Sequence, residues 1–277
     1  MGLRLTVLCE NSVGRPLGLI GEHGFACHLE TPSGNYLFDT GGGLGIETNA
    51  RLLNLDLAAL KGIILSHGHY DHAGGLPAVL ARTGPIDVYA HPELFTPRFS
   101  LGESGRRAIG VPQTREALEQ LGARFRFSAE PLELTPQLTL SGTIPRITAF
   151  ERGDPKLCRV AAGGALHPDP LADDLSLLIS TEQGLSVLLG CAHAGLINIL
   201  EHARTLTGQR QLHTVVGGTH LMFHDESQFR QTLQRLADYR LARLGAAHCT
   251  GLPQAARLAA QFGERFFFAS VGCTLDV

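Results

Sequence analysis

Histidine and aspartate crowd one short segment of this chain. Ser66-His67-Gly68-His69-Tyr70-Asp71-His72-Ala73-Gly74-Gly75-Leu76 places three imidazoles and one carboxylate within six residues. Imidazole nitrogen and carboxylate oxygen are donors that zinc, iron and manganese accept. On a tight turn His67 and His69 can point one way and Asp71 and His72 another, so that two adjacent cations share one loop. Gly68, Gly74 and Gly75 let the backbone turn sharply without a Cβ clash. Three further apolar runs also end on a histidine: Leu188–His193, Val215–His220 and Leu244–His248. Ligands in α/β sheets gather beyond the carboxyl ends of strands. Four strand ends bearing histidine are therefore expected to meet at one edge of the molecule. The plain alternative is a solvated histidine-rich loop, and four donors at this spacing weigh against it.

The elements that must carry these residues can be read from the apolar pattern. Leu3–Cys9, Phe25–Glu30 and Asn35–Asp39 read as strands, the last two joined by the turn Thr31-Pro32-Ser33-Gly34 as a hairpin. Strand-like Gly62–Ser66 precedes a helix over Gly75–Arg82, and Ile86–Ala90 is another strand. Leu185–Gly190 precedes a helix over Leu196–Leu206. His213–Gly217 precedes one over Glu226–Tyr239, and Leu241–Ala246 one over Pro253–Phe262. Continuous apolar strands alternating with helices predict sheets covered by helices, an α/β or α+β class. The middle, about 95–172, is less regular. It holds a helix over Thr114–Leu121 and strands at Arg124–Phe127 and Leu138–Ser141, and reads as an elaborated insertion within a single domain spanning 1–277.

Composition narrows the function. The chain has 277 residues, 44% apolar, with a formal net charge of −3, so it is neither disordered nor a general nucleic-acid binder. Thirteen histidines beside no Trp and 2 Met form the one excess, in a residue suited to binding metal. Six scattered cysteines without a CxxC pair suit buried thiols in a reducing cytosol. No apolar run approaches a membrane span, and the first residues read as an edge strand and not as a signal peptide. A cytoplasmic protein with no membrane or nucleic-acid partner is expected.

His67-x-His69-x-Asp71-His72 after a strand, with Phe38-Asp39-Thr40-Gly41 upstream, resembles the metallo-β-lactamase superfamily of dinuclear metal hydrolases. Further pieces resemble its dihydropteroate-synthase-like or dihydropterin ribofuranosylaminobenzene phosphate synthase-like branch. These are Glu10-Asn11, Glu22-His23-Gly24, Gly142-Thr143-Ile144-Pro145-Arg146, Gly190-Cys191-Ala192-His193-Ala194-Gly195 and His248-Cys249-Thr250-Gly251. The resemblance implies a four-layer αββα sandwich with two divalent metals at one edge, zinc first and iron or manganese as alternatives. It implies His67 and His69 on the first metal and Asp71 and His72 on the second. His193 and His248 are the best matches for the later ligands, one on each. Asp39 would hold the histidine loop from behind, as ligand imidazoles usually need a partner for their other nitrogen. One departure stands out. Many superfamily members place a bridging Asp where this chain has Gly190-Cys191-Ala192-His193; Asp173 or Asp174 is a weak substitute.

Zinc-type ions lower the pKa of bound water from about 15.7 to near 7, which favours hydrolysis of a phosphoester or acyl-type bond. Asp71 and His220 are the expected catalytic side chains, and Arg146 and His23 the expected substrate contacts, although His220 and His23 also fit plain structural roles. Arg98, Arg106, Arg107, Arg146 and Arg152 are candidate clamps for a small anionic substrate, Arg146 preferred because it lies in a piece shared with the branch. Cys191 and Cys249 read as buried structural thiols. His91 has weaker support as a site residue. Alternatives to the hydrolase are a pterin-related synthase and a non-catalytic metal-binding regulator.

Overall fold

The computed structural model describes residues 3–103, 105–160 and 164–277. Met1, Gly2, Ser104 and residues 161–163 lie outside it, the last four within the 95–172 segment.

Two seven-stranded sheets form the frame. The first has the order β18 (Thr274–Asp276), β1 (Arg4–Cys9), β2 (Ala26–Thr31), β3 (Gly34–Phe38), β4 (Leu60–Ile64), β5 (Ile86–Ala90) and β8 (Ala123–Phe127). The second runs β17 (Phe266–Phe268), β16 (Arg243–Ala247), β15 (Leu212–Gly218), β14 (Gly184–Leu189), β13 (Ser176–Thr181), β10 (Leu138–Leu140) and β9 (Leu132–Thr135). β3–β4–β5–β8 and β14–β15–β16–β17 are parallel runs, and the remaining pairs in each sheet are antiparallel.

Alternation along the strands explains the layering. In β4, Ile63 faces outward onto a helical layer while Ile64 faces the opposite sheet; in β15, Val215 and Val216 divide the same way. Strands buried on both faces read as unbroken apolar runs. One core lies between the sheets, around Phe38, Ile64, Leu188 and Val216. A second packs the first sheet against α1 (Ile46–Leu52), α3 (Leu76–Thr83) and α4 (Arg115–Gln120), and a third packs the second sheet against α5 (Leu196–Thr207), α6 (Glu226–Asp238) and α7 (Leu252–Phe262). The result is the expected αββα order. Helix ends follow local chemistry: the Asp225 carboxylate accepts from the Gln228 amide at the start of α6, and left-handed Gly208 stops α5.

The 95–172 segment is not one insertion. β8, β9 and β10 extend the two main sheets, and α4 buries Leu118 in a main core. Only β6 (Arg98–Gly102), β7 (Gly105–Ala108), β11 (Leu157–Val160) and β12 (Leu166–Pro168) stand apart, as a four-stranded sheet ordered β12–β11–β6–β7. The one-turn helix α2 (Tyr70–Ala73), inside the histidine loop, was not expected.

Candidate metal centre

β4 delivers its chain directly into Ser66–Gly75. That loop lies close against its neighbours: a Cβ on Gly68 would strike the Leu94 carbonyl, and one on Gly75 the Thr40 carbonyl. Asp39, just past β3, fastens the loop from below. Its Oδ1 accepts from the Ser66 amide at 2.7 Å, and its Oδ2 accepts from Ser66 Oγ and from His72 Nδ1, each at 2.7 Å. His67 Nδ1 meets the same Ser66 hydroxyl at 2.8 Å. Both rings therefore have their Nδ1 engaged and their Nε2 turned toward other donor side chains, His69 for His67 and Cys191 for His72, the orientation that outer partners impose on metal-bound histidine.

His67 Nε2 lies 2.9 Å from His69 Nδ1, and the His193 ring centroid is 4.8 Å from that of His67 and 4.9 Å from that of His69. All three are buried, and their donor atoms lie within 4.8 Å of one another. The His220 ring lies tilted against His193, with centroids 4.3 Å apart. Burial, reinforced by neighbouring rings, holds His67 and His193 well below the usual imidazole value and brings His69 and His220 down to about 3. These rings are neutral, the form that binds a metal. Nε2 of His69, Nε2 of His193 and both nitrogens of His220 have no hydrogen-bond partner. Buried polar atoms left unsatisfied are expensive, and a divalent cation suits these donors. The residues fit the metal.

The second group centres on Asp71, whose Oδ2 lies 3.1 Å from His23 Nε2 and 3.3 Å from His248 Nε2. Burial would raise the Asp71 carboxyl, but hydrogen bonds from His23 and His248 hold it well below its ordinary value, so it is ionised. His248 is fixed by Glu10 and Asn11: its amide donates to Glu10 Oε1 at 2.7 Å, and its Nδ1 meets Asn11 Oδ1 at 2.9 Å. His72 lies between the two groups, its ring centroid 4.2 Å from that of His67 and 5.1 Å from that of His248. Its Nε2 lies 3.1 Å from Cys191 Sγ, and it groups with His67 and Cys191, whereas Asp71 and His248 group with His23. Burial opposes a charge on His72, but the Asp39 carboxylate outweighs it and raises the ring to about 9.

Backbone conformation marks the same residues. Asp39, Ala192, His220 and His248 all have φ between 48° and 58°. Left-handed backbone at non-glycine residues costs on the order of 1–3 kcal/mol each and persists only where the surroundings enforce it.

Several expected roles change. Arg98 is no anion clamp: it is 1% exposed, with Nε on Asp169 at 2.8 Å and Nη2 on Asp173 at 2.7 Å. Asp173, tied to Arg98 and the Gly68 amide, cannot stand in for a bridging Asp. Asp174 accepts from the Ala194 amide instead. Arg146 spends its Nη2 on the carbonyls of Pro170 and His193, both at 2.8 Å, and so braces the His193 loop. Arg106 lies over Phe99, and Arg152 pairs with Asp225. His91 is satisfied by Thr143 Oγ1 and the Glu93 amide.

A cavity of about 150 Å³ opens onto the cluster, lined by His23, His69, Asp71, His193, His220 and His248 on one side. Arg107, Lys156, Tyr70, Asp154 and Phe223 also line it. Arg107 and Lys156 come from the small four-stranded sheet and its approach. Sequence reasoning singled out Cys191 but gave it no site role, passed over Lys156, and quoted Glu10 and Asn11 without a function.

The metallo-beta-lactamase superfamily model matches residues 25–189, more than half of the chain. A Methanocaldococcus jannaschii protein named 7,8-dihydropterin-6-methyl-4-(beta-D-ribofuranosyl)-aminobenzene-5'-phosphate synthase is 28% identical over 273 residues, covering 95% of this chain and 93% of that protein. An uncharacterized protein of the same organism is 27% identical over 280 residues, covering 99% of this chain and all of that one. The crystal structure of Tm1679, described as a metal-dependent hydrolase of the beta-lactamase superfamily, aligns with a TM-score of 0.84 at 27% identity, covering 99% of both chains. With αββα layers, a histidine–aspartate loop at the end of β4 and a family match across that region, the chain belongs to the metallo-β-lactamase superfamily.

Proposed function

We propose that this chain is a metal-dependent hydrolase of a small phosphate-bearing or similarly anionic substrate, acting in the cytoplasm with two divalent ions, zinc first. The observation that carries this reading is one cavity that joins the buried imidazoles and Asp71 to the cationic side chains of Arg107 and Lys156. Ions held by His67, His69 and His193, and by Asp71, His72 and His248, would supply Lewis acidity and bring the pKa of water near neutrality. Asp71, already ionised, orients the attacking water by accepting its hydrogen bond. His220, neutral and buried, offers an N–H to negative charge developing on the substrate. Arg107 is preorganised: its Nη1 donates to Tyr70 Oη at 3.2 Å, and its guanidinium lies 5.4 Å from the centre of that ring. Lys156 makes no carboxylate ion pair among the described residues. The substrate's anionic group is thus assigned to Arg107 and Lys156, since the Arg146 donors are engaged.

Charge-assisted hydrogen bonds contribute about 1.5–3 kcal/mol, so Arg107→Ala or Lys156→Ala is expected to lower kcat/KM for 4-nitrophenyl phosphate about 10- to 100-fold. Turnover of 4-nitrophenyl acetate should change little. Equal losses on both substrates would remove the anion-binding role. The M. jannaschii relative, with a 5'-phosphate in its name, favours a second reading: a pterin-related synthase. Solvent-oxygen labelling separates the two, because hydrolysis places oxygen from labelled water in the product and condensation need not. Metal and ligand binding without turnover would instead support the regulator.

A further inference from the structure

We infer that a second chamber, lined by Arg152, Asp154, His220, Phe223, His224 and Gln228, receives the uncharged end of the substrate. There the Gln228 side-chain amide selects a flat ring with a carbonyl beside an N–H, the edge of a cyclic amide. The inference deepens the hydrolase reading above and rests on it for the link between this chamber and turnover. The catalytic cavity, of about 150 Å³, falls below the roughly 300–1,000 Å³ of small-molecule sites. It takes the reacting group and little more. The chamber, of about 460 Å³, shares Asp154, His220 and Phe223 with it, so one molecule can span both. Charge sorts the two ends of that molecule. Arg107 and Lys156 line the cavity and not the chamber, whereas the chamber holds Arg152 beside its ion-pair partner Asp225 and adds Asp154. One cation against two carboxylates leaves no place there for an anion.

The polar groups on the chamber wall call for a neutral partner. Gln228 is 5% exposed, and its Nε2 has no hydrogen-bond partner. Its backbone is already engaged in the first turn of α6, where the amide donates to Asp225 Oδ1 and the carbonyl accepts from Thr232 Oγ1. The side chain therefore starts from a fixed point on a helix. His224 Nδ1 is unpartnered too, and burial brings that ring down to about 4, so the imidazole is neutral. Phe223, half-exposed, lies against His220 with ring centroids 4.5 Å apart and supplies a flat apolar wall. A primary amide carries a donor and an acceptor side by side. A cyclic amide carries the complementary pair, and both bonds form at once. A site built for such a pair rejects a ligand that leaves one bond unmade.

Ligand-observed NMR titration of the full chain with quinolin-2-one and coumarin tests this. The two bicycles differ only in the ring N–H, which is an oxygen in coumarin. Quinolin-2-one is expected to bind the unaltered protein about 10-fold more tightly. Gln228→Met keeps the volume and removes the amide, so it should bring quinolin-2-one to the level of coumarin. Phe223→Ala should weaken both about equally. The phosphate esters of 7-hydroxyquinolin-2-one and 7-hydroxycoumarin carry the comparison into turnover, where kcat/KM should favour the quinolinone about 10-fold in the unaltered protein. Equal binding of the two bicycles by the unaltered protein, a measurement that needs no variant, overturns the inference and leaves the hydrolase reading standing. A preference that persists in folded Gln228→Met does the same. A preference in binding with equal turnover of the two esters overturns the assignment of the chamber to the substrate. The binding preference without hydrolysis of either ester overturns the hydrolase reading and leaves the chamber's selectivity in place.

Discussion

Arg98→Met is expected to destabilise the protein by about 3–5 kcal/mol, because it strands two buried carboxylates whose common counter-charge is gone. At this chain length that corresponds to a fall in Tm of about 10 °C. The Arg98 guanidinium sits between Asp169 and Asp173, all three side chains essentially inaccessible to water. Burial already raises Asp173 to about 6 even with Arg98 opposing it. A carboxyl whose folded pKa lies above its unfolded value supports the fold below the unfolded value and withdraws that support as pH rises through the folded one. Loss of Arg98 raises Asp173 further, so the deficit relative to the unaltered protein should be larger at pH 8 than at pH 5. Adding Asp169→Asn and Asp173→Asn should restore part of the stability. Thermal melts of the three proteins at both pH values check this, and an Arg98→Met protein as stable as its parent would refute the buried triad.

The second large effect concerns Asp39→Asn. Asparagine tolerates the left-handed backbone at this position, where φ is 58°, and it fills the same space. It lacks the charge and the second acceptor oxygen that hold Ser66 and His72 together. Loss of such an outer partner typically costs about 10- to 100-fold in metal affinity. Chelator competition should therefore show a 10- to 100-fold weaker Kd for zinc, with the variant still folded by circular dichroism. An unchanged Kd would mean that Asp39 does not orient the histidine loop.

Residues close in sequence announced themselves. His67, His69, Asp71 and His72 share one loop, so their spacing alone disclosed a donor cluster. His193, His220 and His248 followed from strand ends, because strands buried on both faces leave long apolar runs that stop where the chain leaves the sheet. Partners distant in sequence were silent. Glu10 and Asn11 reach His248 across 238 and 237 residues, and neither type is unusual in a surface loop. Arg98 looked like one of several arginines in a polar stretch; nothing local shows that Asp169 and Asp173 close over it. β7, exposed along its whole length with two arginines in four residues, carries no apolar alternation from which a strand could be read. That small sheet supplies Arg107, so the cationic wall stayed hidden while the metal centre did not. Cys191 is buried as expected, and its sulfur lies 3.1 Å from His72 Nε2, a contact between residues 119 apart that no local pattern shows.

Anomalous diffraction at the zinc edge, from crystals of the protein as purified with zinc in the medium, tests the metal centre most directly. Two peaks are expected, one bounded by His67, His69 and His193 and the other beside Asp71, His72 and His248. Anomalous maps with no peak within coordination distance of these nitrogens, from crystals whose protein folds and diffracts normally, would contradict it.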